Sequence, residues 1–278
     1  MLISKHFTRK MINAFALGIS GLFTLIALLG LSWICSMLFS KGLARLNLNF
    51  FTQITLSPGK NGGMLNPIVG TLLMNMLALL WGAPIGILTG IYLAEYKPLA
   101  RSSVIIRYVI DIFLGTPSII LGLFIYQSYV VYVGHFSGWA GSFALSLLVI
   151  PITAKTTENI YQMVSPLLKE ALLSIGMPQW QFIKFIILRV INRGILTGIL
   201  LSLSRIIGEA APLLFTALNN NFWSVDLNKP MANLPVVIFN YAMSPFADWQ
   251  EIAWTGSLVI TIWVLVINIL SRSLITRS

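Results

Sequence analysis

The sequence predicts an all-α integral membrane protein with six transmembrane helices. Three observations support this fold class: apolar residues make up 57% of the 278 positions, charged residues make up 9%, and the mean hydropathy is +0.86. A water-soluble domain carries about 25% charged residues, so this chain has too few charges to cover a water-facing surface. The same composition excludes intrinsic disorder, which requires a polar and highly charged chain. Cys35 is the only cysteine, which excludes a disulfide scaffold.

Six apolar runs are long enough to form these helices. The first has 26 uncharged residues, which corresponds to about 39 Å of α-helix against a hydrocarbon core of about 30 Å. A signal peptide has a shorter apolar segment of about 7–15 residues, so the first run is interpreted as a retained anchor. The runs are Ala14–Phe39, Ile68–Ala94, Ile112–Val133, Trp139–Ala154, Gly194–Leu218 and Ile252–Leu270.

The basic residues are distributed unequally between the two sides of the predicted membrane. One side carries thirteen: Lys5, Arg9, Lys10, Lys97, Arg101, Arg107, Lys155, Lys169, Lys184, Arg189, Arg193, Arg272 and Arg277. The other side carries Lys41, Arg45, Lys60 and Lys229, and Arg205 lies inside the fifth span. Because cytoplasmic loops retain an excess of Lys and Arg, the first side is predicted to be cytoplasmic, with both termini on it. The net charge of +10 therefore reflects membrane topology rather than a nucleic-acid-binding surface.

The chain is expected to divide into two regions. Residues 1–66 hold the anchor helix and an external loop, and residues 67–278 form the main transmembrane domain. Within the second region, the loop of residues 156–193 is cytoplasmic in this topology. The loop of residues 219–251 is external and contains an amphipathic stretch, Leu234–Met243.

The cytoplasmic loop contains a short helix between two turns. Proline disfavours helix interiors, and Gly176 is a natural helix stop just before Pro178. The pattern predicts a helix from about Leu167 to Ile175, then a sharp turn, then a second helix that leads into the fifth span. Such a helix is suited to docking on a cytoplasmic partner. The alternative is an interfacial helix that only lies among the lipid headgroups.

Arg205 and Glu209 are ionisable residues near the middle of the fifth predicted span. Charges at this depth cost several kcal/mol unless they are paired or face a cavity, so they indicate a functional site. Because they are four residues apart, the two side chains are expected to share one helical face, with Pro212 bending the helix beyond them. Either they neutralise each other, or Arg205 offers its donors to an oxyanion while Glu209 positions it or forms a gate pair.

The third span contains a predicted break at Gly115-Thr116-Pro117. Irregular backbone at membrane depth is tolerated only where it faces protein or a water-filled cavity. This stretch, together with Ser118, is therefore expected to face a pathway through the membrane.

The other polar residues are predicted to be structural. Asp111 and Arg107 lie one turn apart and are expected to form an ion pair at the cytoplasmic end of the third span. His6 and His135 have no Cys, Asp or Glu neighbours at metal-ligand spacing. Neither a metal site nor a cofactor is therefore expected.

The segment that starts at Glu170 resembles the EAA loop of ABC-transporter permeases, written E-A-A-x3-G-x9-I-x-L-P. Residues that match are Glu170, Ala171, Gly176, Ile186 and Leu188, whereas Leu172 replaces the second alanine and Arg189 the closing proline. In that family the short helix sits in a groove of the ATPase subunit and transmits its closure. The resemblance implies coupling roles for Glu170, Ala171 and Gly176.

Two further stretches are similar to motifs of phosphate importer permeases. Residues 115–124 resemble G-I-P-S-I-V-x-G-L-F, and residues 204–215 are similar to A-R-A-x-G-E-x-A-P-L-L-F. Over about residues 67–270 the chain thus resembles the PstA-type permeases of phosphate ABC importers. This resemblance implies a type I ABC importer permease fold in the bacterial inner membrane and half of a pathway for inorganic phosphate. The implied pathway residues are Arg205, Glu209, Thr116 and Ser118.

The resemblance also implies the partners of the chain. They are a second homologous permease in a heterodimer, an ATPase dimer on the cytoplasmic side, a phosphate-binding protein outside that docks on residues 219–251, and membrane lipid. ATP hydrolysis is expected in the separate ATPase subunit, since the phosphate-binding pattern Gly-x4-Gly-Lys-Ser/Thr does not occur in the sequence.

Three alternatives remain. A permease for molybdate, tungstate or a phosphonate would use the same arginine chemistry as a phosphate permease. An ion-coupled secondary transporter would often show inverted repeats, and none is evident in the sequence. A membrane-embedded hydrolase would need clustered His, Asp or Ser within the spans. The predicted spans instead contain one Arg–Glu pair, Arg205 and Glu209.

Overall fold

The computed structural model describes residues 2–60, 62–96 and 100–276, and the regular elements in those residues are helical. The α-helices are α1 (Leu2–Gly42), α2 (Leu48–Thr52), α3 (Leu65–Ile91), α4 (Arg101–Gly115), α5 (Ser118–Ile125), α6 (Val131–Val133), α7 (Gly138–Gln162), α8 (Pro166–Ser174), α9 (Gln179–Phe182), α10 (Leu188–Ile206), α11 (Leu234–Ala242) and α12 (Ala247–Thr276). Lys97 and Arg277, which contribute to the predicted topology, lie outside the described residues.

The described residues contain four helices that can each span a membrane, and up to six spans if each of two bent helix pairs counts as one. By length and apolar composition, α1, α3, α7 and α12 can each cross a membrane. The pair formed by α4 and residues 118–133 is bent by 106°, and the pair formed by residues 179–185 and α10 is bent by 59°. The predicted all-helical membrane fold is confirmed.

Three predicted spans differ from the helices observed. The apolar run of residues 112–133 is not one helix, because Pro117 separates α4 from α5. The fifth run is helical only as far as Ile206, and residues 207–218 continue as turns and a short 3₁₀ segment. The fourth helix is longer than predicted, because the polar residues that follow Ala154 continue α7 to Gln162.

Helices α3 and α7 form the closely packed centre of the bundle. Gly82, Gly86 and Gly90 lie four residues apart on the face of α3 that contacts α7. An added Cβ at Gly82 would lie 2.8 Å from Val149 Cβ, and one at Gly90 would lie 2.7 Å from Thr157 Cβ. Small residues at this spacing let two helix backbones approach within a membrane. The two helices are therefore packed closely along this face and are called the α3–α7 unit below.

The bundle has two ends, the coupling face and the cap face. The coupling face holds α8, α9 and the C-terminal ends of α3 and α7, joined by a buried cluster that includes Ile91, Tyr161 and Phe182. The cap face holds α2, α11 and the N-terminal ends of α3 and α12, joined by a cluster that includes Phe50 and Leu234. Each end thus has its own apolar core beneath its loops.

Helix α1 lies on the outside of the bundle. Its residues 9–34 are exposed, whereas its cap-face end packs on α12, with Gly42 against Leu258. Beyond that end, Arg45 Nε donates to Glu251 Oε2 at 2.7 Å, and Arg45 Nη2 donates to Asp248 Oδ1 at 3.1 Å. The hydrogen bond that Arg45 donates to Glu251 raises the pKa of the Arg45 guanidinium. This ion-pair cluster joins the first and last spans.

Candidate functional site

The first helix break lies between α4 and α5. Thr116 and Pro117 have ψ angles of 132° and 131°, outside the helical range, and α5 then begins at Ser118. The Thr116 hydroxyl donates to the Ile112 carbonyl at 2.6 Å and so satisfies the end of α4. The predicted break is confirmed, and the N-terminus of α5 begins directly after it.

The second helix break follows α10. Leu218 has a φ angle of 58°, in the left-handed region that branched apolar residues rarely adopt. Its N–H donates to the Leu213 carbonyl at 2.9 Å, and Asn233 Nδ2 donates to the Leu218 carbonyl at 3.3 Å. The strained backbone is thus held from both sides. Sequence reasoning missed this turn because leucine is not a turn-forming residue.

The two breaks are packed against each other. An added Cβ at Gly122 of α5 would lie 2.5 Å from Pro212 Cα, so this close approach requires glycine. Leu121 and Leu213, which flank the contact, belong to the same buried cluster as Met74 of α3. The interrupted segments therefore meet beside the α3–α7 unit rather than facing lipid separately.

Arg205 and Glu209 lie at the start of the second break. The expectation that they share a helical face is wrong, because α10 ends at Ile206 before Glu209 is reached. Their side chains still approach each other, with Arg205 Nε 3.9 Å from Glu209 Oε1, a distance too long for a hydrogen bond. The Arg205 side chain is 50% exposed. The guanidinium, which has five N–H donors, can therefore bind an additional anion.

The outward face of α8 is largely apolar but also carries Glu170. The predicted helix from Leu167 to Ile175 is confirmed to within one residue, and Gly176 ends it with a φ angle of +77°. The exposed residues of this face are Leu167, Glu170, Ala171, Leu173 and Ile175. An exposed apolar surface on a short helix is typical of a protein interaction site.

The inward face of α8 carries a contact that sequence reasoning missed. Lys169 Nζ donates to Glu95 Oε2 at 2.9 Å, and Gln179 Nε2 donates to Glu95 Oε1 at 3.2 Å. Glu95 lies in a π-helical segment, Tyr92–Tyr96, that follows α3. The opposite charges of Glu95 and Lys169 were the available signal, but their separation of 74 residues in the sequence hides the pairing.

Arg107 and Asp111 are paired with other residues, so the expected pair between them is wrong. Arg107 Nε donates to Glu158 Oε1 at 2.8 Å, because α7 brings that carboxylate against α4. Asp111 Oδ1 lies 3.6 Å from Lys155 Nζ, at a more exposed position. The side chain of Glu158 is only 4% exposed, so the Arg107–Glu158 pair is a buried connection between α4 and α7.

Within residues 2–60, 62–96 and 100–276, no three His, Cys, Asp or Glu side chains form a group that could hold a metal ion. Of the two histidines, His135 lies in the turn before α7, with its Nδ1 3.2 Å from the Phe136 carbonyl oxygen. The polar groups of the candidate site are thus the arginine, glutamate and hydroxyl side chains described above.

These features, broken spans beside a packed helix pair and a short amphipathic helix at one end, define a transporter membrane subunit. The chain belongs to the family of binding-protein-dependent transport system inner membrane components, whose family model matches residues 86–277. It is a multi-pass inner-membrane protein and the membrane subunit of an ABC importer. Membership of this family implies an ATPase partner, carried on a separate subunit, and a binding protein.

Three relatives share most of their length with this chain. The phosphate transport system permease protein PstA of Pasteurella multocida (strain Pm70) is 49% identical over 96% of this chain and 96% of its own. The protein of the same name from Haemophilus influenzae (strain ATCC 51907 / DSM 11121 / KW20 / Rd) is 48% identical over 96% of this chain and 95% of its own. The probable phosphate transport system permease protein PstA of Methanocaldococcus jannaschii is 35% identical over 95% of this chain and 94% of its own.

The fold also matches a solved structure. A chain of the MetNI methionine ABC transporter, in an inward-facing conformation, superposes with a TM-score of 0.59 at 18% sequence identity. The match covers 77% of this chain and 93% of that chain. The architecture is therefore that of a type I ABC importer permease, as the sequence predicts.

Proposed function

We propose that this chain is the permease subunit of an ATP-driven inorganic phosphate importer and forms half of its translocation pathway. The observation that carries the proposal is the identity of 48–49% to two permeases named for phosphate transport, each over 96% of the chain. The two helix breaks agree with this function, since substrate sites of membrane transporters commonly use interrupted helices.

Arg205 is the residue proposed to contact phosphate. A guanidinium presents a planar fork of donors that fits phosphate oxygens, and this one is half exposed at the second break. Glu209 is proposed to position Arg205, and Thr116 and Ser118 to line the same pathway. The N-terminus of α5 at Ser118 adds backbone N–H groups, which favour anions.

The proposed orientation places the coupling face and both termini in the cytoplasm. The thirteen basic residues assigned to that side support this orientation. Helix α8, with Glu170, Ala171 and Gly176, then docks on an ATPase dimer, and ATP is hydrolysed there rather than by this chain. The cap-face residues 219–251 are proposed to receive a phosphate-binding protein. Residues 9–34 of α1 contact lipid and a second, homologous permease that completes a heterodimer.

Radiolabelled phosphate uptake tests this function. Cells that lack this chain but retain the other subunits receive the wild-type chain, and uptake is measured at low external phosphate with excess molybdate, sulfate or a phosphonate as competitor. We expect the chain to restore uptake and the competitors to leave it unchanged. Failure to restore phosphate uptake while the partner subunits are present would contradict the substrate but not the permease fold.

A further inference from the structure

We propose that Glu95 connects the coupling helix α8 mechanically to the α3–α7 unit, so that movement of α8 is transmitted to the helix breaks. Glu95 is a positioning residue in this proposal, because it contacts helices and not the transported anion. The inference rests on the proposed ATP-driven import. It adds to that function a specific route by which an ATPase acts on the pathway.

One carboxylate joins three helices at this position. Glu95 follows the C-terminal end of α3, Lys169 lies in the middle of α8, and Gln179 is the first residue of α9. Each oxygen of Glu95 has its own donor, Lys169 Nζ at 2.9 Å for Oε2 and Gln179 Nε2 at 3.2 Å for Oε1. A carboxylate held by two donors from two elements fixes both elements relative to its own helix.

Helix α7 also takes part in this junction. The Nζ atom of Lys169 lies 4.4 Å from the ring centroid of Tyr161, a fully buried residue near the C-terminal end of α7. The side chains of Glu95 and Lys169 are only 11% and 23% exposed, so water and salt screen the pair weakly. By contrast, the nearby Asp111 and Lys155 side chains are 56% and 40% exposed. The Glu95 pair is thus the stronger connection.

The junction lies on a continuous path of buried contacts. Beside the junction, Ile91 of α3 and Tyr161 of α7 pack in one apolar cluster. From there the glycine contacts hold α3 against α7, and Met74 of α3 packs in the same cluster as Leu213 of the second break. Coupling between distant sites is carried by such packed side chains, ion pairs and rigid helices.

The direct chain connection from α8 to α10 is irregular. It includes the left-handed turn at Gly176, the single-turn helix α9, and the π-helical segment Ile183–Ile187. The bend between residues 179–185 and α10 is 59°. Sharp helix kinks are often found at π-helical segments, and we infer that movement of α8 is absorbed at this one before it reaches α10. The route through Glu95 bypasses this hinge.

The experiment measures phosphate uptake and ATP hydrolysis together. The complete complex, with the ATPase, the second permease and the binding protein, is reconstituted in lipid vesicles. For Glu95→Gln we expect phosphate transported per ATP hydrolysed to fall about tenfold, while hydrolysis itself continues. Lys60→Gln serves as the control, because it removes an exposed lysine at the cap face, away from the junction and the hinge, and is expected to leave the ratio unchanged.

A charge exchange separates transmission from a general structural defect. In the double variant Glu95→Lys with Lys169→Glu, the ion pair forms again in reverse, and the Gln179 amide can rotate to present its oxygen. We expect the phosphate transported per ATP hydrolysed to return most of the way to the wild-type value in this variant. Lys169→Gln removes the α8 partner of the same ion pair. It provides a second single variant if Glu95→Gln accumulates poorly in the membrane.

Two results would overturn the inference. One is a wild-type ratio in both Glu95→Gln and Lys169→Gln, and the other is a charge exchange that performs no better than the single variants. Either result leaves the proposed function intact, provided that the wild-type complex transports phosphate. If the wild-type complex transports none, the proposed function itself fails, so the two failures are distinguishable.

Discussion

Gly122 of α5 lies directly against Pro212, so the two interrupted spans of this chain touch at a position where only glycine fits. The contact brings together segments that are 90 positions apart in the sequence (212 minus 122). Because backbone groups without helical partners are costly in hydrocarbon, it is favourable for both breaks to be enclosed by protein. The Gly122–Pro212 contact therefore encloses part of both breaks in protein.

Gly122→Ala is expected to destabilise the protein. The added methyl group would lie 2.5 Å from Pro212 Cα, and overpacking of this kind costs about 1–3 kcal/mol. Thermal unfolding of the purified protein in detergent measures the effect. Gly115→Ala is the control, because an added Cβ there has nothing within 4 Å. Equal unfolding temperatures for the two variants would show that the breaks do not depend on this contact.

Arg205→Gln is expected to abolish phosphate uptake while the protein remains in the membrane at its normal level. The guanidinium lies 3.9 Å from the Glu209 carboxylate and is half exposed, so its main proposed role is to bind the anion. Uptake of radiolabelled phosphate and immunodetection of the chain measure the two quantities. If Arg205 only neutralised Glu209, the double variant Arg205→Gln with Glu209→Gln would recover uptake, and this recovery would contradict the binding role.

Arg107→Gln is expected to lower stability by about 3–5 kcal/mol, because it leaves the Glu158 carboxylate buried without its counter-charge. The other oxygen of Glu158, Oε2, is already buried and has no hydrogen-bond partner among the described residues. Chemical unfolding in detergent gives the change in free energy. Lys155→Gln removes the more exposed pair with Asp111 and should cost at most about 1 kcal/mol. A similar loss from both variants would argue against a special role for burial.

Stability of the cap face is expected to fall in alkaline solution because of Tyr241. Burial raises the pKa of this phenol above its ordinary value of 10.0, and its ring is stacked on Trp249 at 4.4 Å. The folded state therefore binds the phenolic proton more tightly than the unfolded chain. The resulting stabilisation is complete below the unfolded pKa of about 10 and is lost as pH rises through the folded pKa.

The test for Tyr241 is the unfolding temperature measured as a function of pH. The near-ultraviolet signal of the aromatic residues serves to detect unfolding. Tyr241→Phe keeps the ring but has no ionisable proton, so its alkaline decline should be smaller than that of the wild type. Parallel declines in the two proteins would show that another group controls the alkaline transition.

Local sequence signals predicted the local features well. Gly176 and Pro178 determine where α8 ends, because glycine accepts the left-handed backbone and proline cannot continue a helix. Gly115-Thr116-Pro117 likewise predicted the first break. The observed bounds of α8 differ from the expected ones by a single residue at each end.

Features that depend on tertiary contacts were not predicted. Arg107 was assigned to the carboxylate nearest in sequence, whereas its partner Glu158 is 51 residues away. The end of α10 at Ile206 was also missed, because the residues that follow it continue the apolar composition expected of a span. Composition indicates that a segment lies in the membrane. Its contacts with neighbouring helices decide whether the segment stays helical there.

The position of α1 has a consequence for how the protein is made. Arg45, just beyond α1, binds Glu251, which is 206 residues later in the chain. At about 5–20 residues per second, a ribosome needs roughly 10–40 s to synthesise the intervening segment. The first helix is therefore inserted long before its docking site on α12 exists. Membrane insertion and tertiary docking of α1 are separate events in time, and the ends of the chain can close the bundle only after translation is nearly complete.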